Sequence, residues 1–224
     1  MVEHGMEEHK FVYIPNGVDV SGWQGNYGEL PAPHRAALHD LKRRGLFLVG
    51  YVGGHATSNA LESFIDSALE LQSSPVALVL VGQGTEKDAL RRRAEALHLS
   101  NVVFLPPVAK ASVPALLSEM DLLFLGWRRS KLYRFGISPN KLLDYMMAAK
   151  VVLHATEAPN DPVVESGCGL SVPPEDSLAI GAAIRHLMKL PSHERERMGA
   201  RGRSYIMTHH DYRKLAAQFI DIIK

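Results

Sequence analysis

The chain has 224 residues, 46% hydrophobic and 22% charged, with a formal net charge of +1. It therefore has the apolar material for a sizeable core, and its bulk charge argues neither for nor against an anionic polymer as partner. One cysteine, Cys168, excludes an intramolecular disulfide and fits a reducing compartment, and no run of about 18 apolar residues is present to cross a bilayer.

The polar, acidic first ten residues are neither a signal nor a transit peptide, and they read as the interior of a longer protein. Beyond them short β-rich runs alternate with amphipathic helical patterns. Phe11 to Ile14 is the first candidate strand, stopped by Pro15-Asn16-Gly17, and Leu46 to Val52 the next, stopped by Gly53-Gly54. Leu61, Phe64, Ile65, Ala68 and Leu69 follow the i, i+3, i+4 spacing of a helix with one buried face. Asn59 with Glu62 three residues on predicts a capping box at its start. Val76 to Val81 is an unbroken apolar run, the signature of a strand covered on both faces. Gly82-Gln83-Gly84 ends it, and Thr85 is placed to cap a helix reaching about Leu97.

Val102 to Leu105 and Leu122 to Leu125 are further strands, with a short helix opened by Ser112 between them. After an irregular segment from Gly126 to Ile137, Ser138-Pro139 predicts a helix start with a capping hydroxyl and proline at the first helical position. Val151 to Leu153 and Leu170 to Val172 complete the strands. Helical stretches near Asp176 to Lys189, Ser192 to Met207 and Asp211 to Lys224 finish the chain. The last carries a stripe of Tyr212, Leu215, Ala216, Phe219, Ile222 and Ile223, read as a packing face. Alternation of this kind predicts an α/β fold, a Rossmann-like doubly wound parallel sheet with helices on both faces. Ligands in such sheets bind outside the carboxyl ends of the strands.

Those ends carry the candidate chemistry. Gly53-Gly54 before a helix lets backbone approach a phosphate, as does Gly82-Gln83-Gly84, although plain strand-to-helix turns are the commoner explanation of both. No full dinucleotide fingerprint and no Walker-type motif is present. The eleven histidines show no metal-ligand spacing, and His55 reads as a surface or packing residue. Tyr133 to Asp144 is the richest stretch. A helix N-terminus near Ser138 aims amides and a positive dipole end at the carboxyl edge of the sheet, with Lys141 one turn in. Asp144, two turns in, can accept paired hydroxyls such as those of a ribose; three positions apart, Lys141 and Asp144 are expected on one face. Trp127 to Arg134 packs four cations and two aromatics into eight residues. It can grip phosphates, lie on an anionic membrane surface or be a solvated loop.

Taken in order, these loops resemble the C-terminal domain of glycosyltransferase family 4. The match is carried by Ile14-Pro-Asn-Gly-Val-Asp19, Val49-Gly-Tyr-Val-Gly-Gly54, Leu80-Val-Gly-Gln-Gly84, Asn101-Val-Val-Phe-Leu105, Val113-Pro-Ala-Leu-Leu117, Ser138-Pro-Asn-Lys-Leu142 with Asp144-Tyr-Met146, Gly169-Leu-Ser-Val-Pro-Pro174 and Met198-Gly-Ala-Arg-Gly-Arg203. Gly136-Ile-Ser-Pro-Asn-Lys141, Ala158-Pro-Asn-Asp-Pro162 and Gly167-Cys-Gly169 are similar to transferases of bacterial O-antigen and capsule assembly, N-acetylfucosamine transferases among them.

The resemblance implies one half of a GT-B pair of Rossmann-like domains: the tail of an N-terminal acceptor domain and a linker in 1–20, a nucleotide-sugar domain in 21–207 and a C-terminal helix in 208–224. The function it implies is retaining transfer from a UDP-sugar to a lipid-linked glycan in surface polysaccharide synthesis, without metal or cofactor. These residues alone would bind donor without turning it over. It further implies a cytoplasmic protein, at the inner membrane face through peripheral association, with no nucleic-acid partner. Asp144 matches the second acid of the family's paired motif and should hold the ribose. Ile137 and Ser138 backbone, Asn140 and Lys141 should face diphosphate or sugar, Gly53 and Gly54 match the first phosphate-side loop, and Val108 sits where backbone meets uracil. The catalytic residues stay unassigned. The chain departs from the pattern at Gly54, Ser58-Asn59 and Gly136, where an arginine, a lysine-glycine pair and the first acid usually stand. Lys141, Arg134 and Lys131 are the cations left for the diphosphate. Two alternatives stay open, a UDP-N-acetylglucosamine 2-epimerase half and a non-catalytic nucleotide-binding module.

Overall fold

The computed structural model describes Gly5, Glu7, residues 12–23, Gly25 and residues 27–223. Six strands form one parallel sheet: β1 Phe47–Val52, β2 Val76–Val81, β3 Val102–Leu105, β4 Leu122–Gly126, β5 Val151–Ala155 and β6 Gly169–Val172. Their order is β3-β2-β1-β4-β5-β6. The chain winds outward through β2 and β3, then returns past β1 to build β4, β5 and β6, so the order reverses between β1 and β4. That switch point is where a doubly wound sheet leaves a crevice for a ligand.

Strand periodicity sorts side chains onto two cores. Leu48, Val52, Val79, Leu123 and Val152 face one; Val49, Tyr51, Leu78, Leu80, Phe124 and Leu153 face the other. The first core is covered by α1 Ala32–Arg43, α4 Val113–Ser118, α5 Asn140–Met147, α6 Pro162–Ser166 and α8 Ser192–His209, the second by α2 Leu61–Glu70, α3 Lys87–Ala96 and α7 Ser177–Lys189. Every residue of β1, β2, β4 and β5 is buried, which is why these strands are almost wholly apolar. Phe64 of α2 stacks on Phe124 of β4 at 4.2 Å. Such a pair contributes about 0.5–1.5 kcal/mol beyond area burial.

The chain closes on itself near its ends. Val18 bridges Asp211, with Val18 N–H donating to His210 O at 2.8 Å, and Val20 and Trp23 enter the first core. α9 Tyr212–Ile223 follows directly.

Several local expectations fail. Val12 to Ile14 form no strand, and Phe11 lies outside the described residues. The cap position of α2 is Ala60, in the left-handed region at φ 46°, and Asn59 is turned into the preceding loop, so no capping box forms. α3 starts at Lys87 without a side-chain cap because Gly84 and Thr85 belong to the turn, where Lys87 N–H donates to Gly84 O. Ser112 stands at the cap of α4, but its hydroxyl donates to Glu29 O instead. α5 starts at Asn140, with extended Pro139 at the cap position and Ser138 outside; Asn16 Nδ2 donates to the Ser138 backbone carbonyl. α8 runs two residues past Met207. On α9 only Leu215 is buried; Phe219, Ile220, Ile222 and Ile223 are exposed, so the described residues do not cover the stripe.

Candidate functional site

β1 and β4 are paired only at Val49–Leu122 and Gly50–Leu123, so their carboxyl ends part. The backbone of Val52 needs another partner there. Tyr145 of α5 supplies it: its buried hydroxyl accepts from Val52 N–H at 2.8 Å and donates to Val52 O at 3.1 Å. Burial pushes this phenol well above its ordinary pKa. The bond fixes α5 against the end of β1 and so sets where the next turn of the helix lies.

Lys141, one turn earlier, reaches over the edge of the sheet. Its ammonium donates to Tyr51 Oη at 2.7 Å and Asn59 Oδ1 at 3.0 Å and lies 4.8 Å from the Tyr51 ring centroid. Burial lowers its pKa to about 8. The stem crosses Gly53, where a Cβ would come within 2.7 Å of Lys141 Cδ, and φ of +149° there also demands glycine. Tyr51 donates in turn to Gly54 O at 2.6 Å. A single cation is thus built into the first glycine loop, with one N–H beyond the two bonds it makes.

The second glycine loop lies under the first. Gly53 N–H donates to Val81 O and His55 N–H to Gln83 O, both at 2.9 Å, and Glu86 N–H donates to His55 O at 3.0 Å. A Cβ at Gly82 would sit 1.9 Å from Gly53 O, and one at Gly84 would sit 2.3 Å from His55 O. Close backbone packing accounts for both glycines. His55 is fully buried between Tyr51 and Phe104, with neither ring nitrogen hydrogen-bonded. Burial first, then Lys87, Lys141 and Arg91, lower its pKa to about 4, so it packs as a neutral ring. Buried Lys87 donates to Gly82 O at 2.6 Å and Leu105 O at 3.1 Å, closing the ends of β2 and β3.

On the other side of α5 lies a groove of about 530 Å³, into which Asn140, Leu143 and Asp144 face from the helix, Lys110 from the segment after β3, and Asp19 and Trp23 from the N-terminal segment. Burial raises the Asp144 pKa, and the Lys110 charge opposes that shift. The same helix therefore offers a carboxylate to the groove and an ammonium to the first glycine loop. Lys141 and Asp144 do not share a patch: although three positions leave only about 60° between them around a helix, the lysine stem turns across the sheet edge to Tyr51 and Asn59.

Of the expected site residues, Gly53, Gly54 and Lys141 come together, and so do Asn140 and Asp144. Gly82 and Gly84 lie beneath the first loop. Val108 is half-buried against the first core and does not line the groove. The Ile137 amide is engaged, donating to Asn160 Oδ1 at 2.8 Å while Asn160 Nδ2 donates back to Ile137 O at 2.7 Å. Arg134 is exposed and lies over the Phe135 ring. Sequence reasoning missed Tyr51, Asn59, Tyr145 and Lys110 as members of the site. Tyr51, Asn59 and Tyr145 stand inside motifs the sequence singles out and Lys110 two residues past Val108, but nothing local assigns their side chains a role.

Comparison with known proteins places this geometry. A family model described as "Glycosyl transferases group 1" matches residues 47–189. WcaI of Escherichia coli strain K12, named as a colanic acid biosynthesis glycosyl transferase, is 25% identical over 229 residues, covering 100% of this chain and 54% of that protein. The chain thus spans about half the length of this curated relative. Among solved structures, Anabaena HepE in complex with UDP and glucose matches with a TM-score of 0.76 and 20% identity, over 99% of this chain and 59% of HepE. The C-terminal domain of LpcC, a group 1 family protein from Francisella tularensis, matches with a TM-score of 0.65 and 18% identity, over 88% of this chain and 100% of that domain. At these identities the structural matches establish the shared fold.

Proposed function

The chain belongs to the group 1 glycosyl transferases, and from that premise we propose that it forms the donor half of a retaining enzyme, one that passes sugar from a UDP-sugar to a lipid-linked glycan of a bacterial surface polysaccharide. The observation that carries this reading is the division of labour on α5. Asp144 faces the groove between α5 and the segment after β3, suited to a ribose diol, while Lys141 is held at the Gly53-Gly54 loop, suited to a diphosphate. HepE, which shares the fold, is described in complex with UDP and with UDP-glucose. WcaI's name supports a polysaccharide product.

In the transfer, the bond between the anomeric carbon and a diphosphate oxygen breaks, and negative charge grows on the departing UDP. Groups preset toward that charge lower the barrier. Lys141 and the positive end of α5 take this role, with no metal required. The acceptor is bound by a part of the protein beyond these residues. The reaction runs in the cytoplasm, at the inner face of the membrane. Among the described residues no helix is long and apolar enough to cross that membrane.

Calorimetry with UDP in EDTA tests the reading. Binding should persist without divalent metal, and Asp144→Ala should weaken UDP and uridine alike by about 1.5–3 kcal/mol, the range for a hydrogen bond to a charged group. Strict dependence on Mg²⁺, a preference for NAD over UDP, or an Asp144→Ala variant that binds both ligands normally overturns it.

A further inference from the structure

Trp127, the first residue past β4, is fixed from below. Its indole N–H donates to His154 Nε2 at 3.0 Å. An indole nitrogen only donates, so Nε2 is the acceptor and the imidazole proton is on Nδ1, which donates to Asp161 Oδ1 at 2.9 Å. Asp161 also accepts from Val163 N–H at 3.0 Å and from the Ser171 hydroxyl. Burial pushes the Asp161 carboxyl up, but the hydrogen bonds from His154, Ser171 and Val163 hold it below its ordinary pKa. His154 is fully buried on β5. A buried chain of polar groups thus orients one half-exposed aromatic ring.

That ring meets Tyr133 edge-on at 5.3 Å, and both line a concavity of about 400 Å³ at the carboxyl ends of β4 and β5. Arg128, Arg129, Lys131 and Arg134 also line it, against a single carboxylate, Glu157. Arg128 is paired with Glu62 at 2.9 Å, and Arg129 with Glu157 at 3.8 Å. Lys131 and Arg134 are exposed, and among the described residues neither has a carboxylate partner. The concavity shares no lining residue with the Asp144 groove.

We propose that this concavity is a saccharide subsite for an acidic sugar: Trp127 and Tyr133 pack on the apolar face of a pyranose ring, and Lys131 and Arg134 meet the carboxylate or phosphate it carries. The volume suits a small-molecule ligand. A preset aromatic wall spares the ligand the ordering cost of binding, and guanidinium–carboxylate bonds are charge-assisted and directional. Leu132 and Phe135 are exposed on the same turn, at 68% and 74%, and would favour a lipid surface. A locked indole in a hollow favours a ring-sized ligand instead. The inference rests on the glycosyltransferase reading only for the source of the sugar, donor or acceptor glycan.

The chain has two tryptophans, so its ¹⁵N spectrum carries two indole signals, and Trp127→Phe assigns them. Methyl β-D-glucuronide and methyl β-D-glucoside are titrated with and without saturating UDP. The glucuronide should move the Trp127 signal and bind about tenfold more tightly, a difference of about 1.4 kcal/mol. Lys131→Ala with Arg134→Ala should bring the two sugars within about twofold. Undiminished glucuronide binding beside UDP identifies an acceptor sugar. UDP-glucuronate binding more tightly than UDP-glucose, with loss in the same double variant, identifies the donor sugar. Equal binding of the two glycosides, a preference that survives the double variant, or a Trp127 shift produced only by phosphatidylglycerol vesicles overturns the proposal. Failure of UDP to bind would sink the donor reading and leave the glycoside comparison standing.

Discussion

The loops after β1 and β2 and the segment after β4 lie along the same edge of the sheet and are built in opposite ways. Gly53-Gly54-His55 and Gly82-Gln83-Gly84 are zipped together by backbone hydrogen bonds, with His55 and Lys87 buried between and beneath them. Residues 127–135 stand open, with cations on the outside and one aromatic tied to the interior. The difference teaches that a glycine-rich loop is not by itself evidence of a phosphate cradle. Where backbone must approach backbone, glycine is needed before any ligand arrives. A segment free of such packing can spend its side chains on recognition.

The comparison breaks first at Gly82. A Cβ there would meet Gly53 O at 1.9 Å, with φ at +150°, so Gly82→Ala should destabilise the fold by about 3 kcal/mol or more. Gly54→Ala, whose nearest neighbour would be Gln83 O at 3.9 Å, should cost less than about 1 kcal/mol. Urea unfolding of the pair decides whether the two glycines serve different ends; equal losses would erase the distinction.

Lys87→Met comes next. It removes two bonds from a buried ammonium to the carbonyls of Gly82 and Leu105. Relief of the lysine's own burial cost offsets part of that loss, leaving a net of about 2 kcal/mol. A variant as stable as the parent in the same unfolding assay would show that the lower loop does not depend on this plug.

Lys141 joins the two regions and gives a pH test. Its folded pKa of about 8 lies below the ordinary lysine value. Its proton therefore opposes folding below pH 8, and that penalty fades as pH rises through 8 toward 10. For ligand binding the sign reverses, because an anionic diphosphate favours the charged form. Affinity for UDP should be level below pH 8 and fall by up to about tenfold per unit above it, while uridine stays flat and Lys141→Met abolishes the slope. Calorimetric titrations at pH 7, 8 and 9 check this, and a slope shared by uridine would remove Lys141 from the phosphate.

The smallest effect is expected in the open segment. Lys131→Ala with Arg134→Ala should change thermal stability by no more than about 0.5 kcal/mol, as for ordinary surface positions. A larger loss would mean that these cations hold the turn rather than wait for a ligand.

The architecture was largely legible because burial writes itself into periodicity. Val76 to Val81 reads as a strand covered on both faces and is one, and Leu61, Phe64, Ile65 and Ala68 read correctly as the buried side of α2. Helix starts were less legible. Asp176 caps α7 through Ala179 N–H at 2.9 Å, yet Asn59, Thr85, Ser112 and Ser138 do not cap in the expected way, and two of them, Asn59 and Ser112, have side chains bonded to other segments. A capping residue competes for its bond with whatever the fold brings near, and that competitor can be 83 positions away, as Glu29 is from Ser112.

The sequence by itself determined the alternation of strands and helices, the doubly wound class and the loops at which chemistry had to lie, because each follows from local spacing and turn residues. The tertiary structure alone decided which loop residues work together. Tyr51 and Lys141 are 90 positions apart, Tyr145 and Val52 93, and no spacing rule connects them. Lys141 and Asp144, three apart, went to different places, the first glycine loop and the groove. Side-chain partnership is set by the parting of β1 and β4 and the placement of α5 against the end of β1, a long-range outcome of packing that no local window of the chain contains.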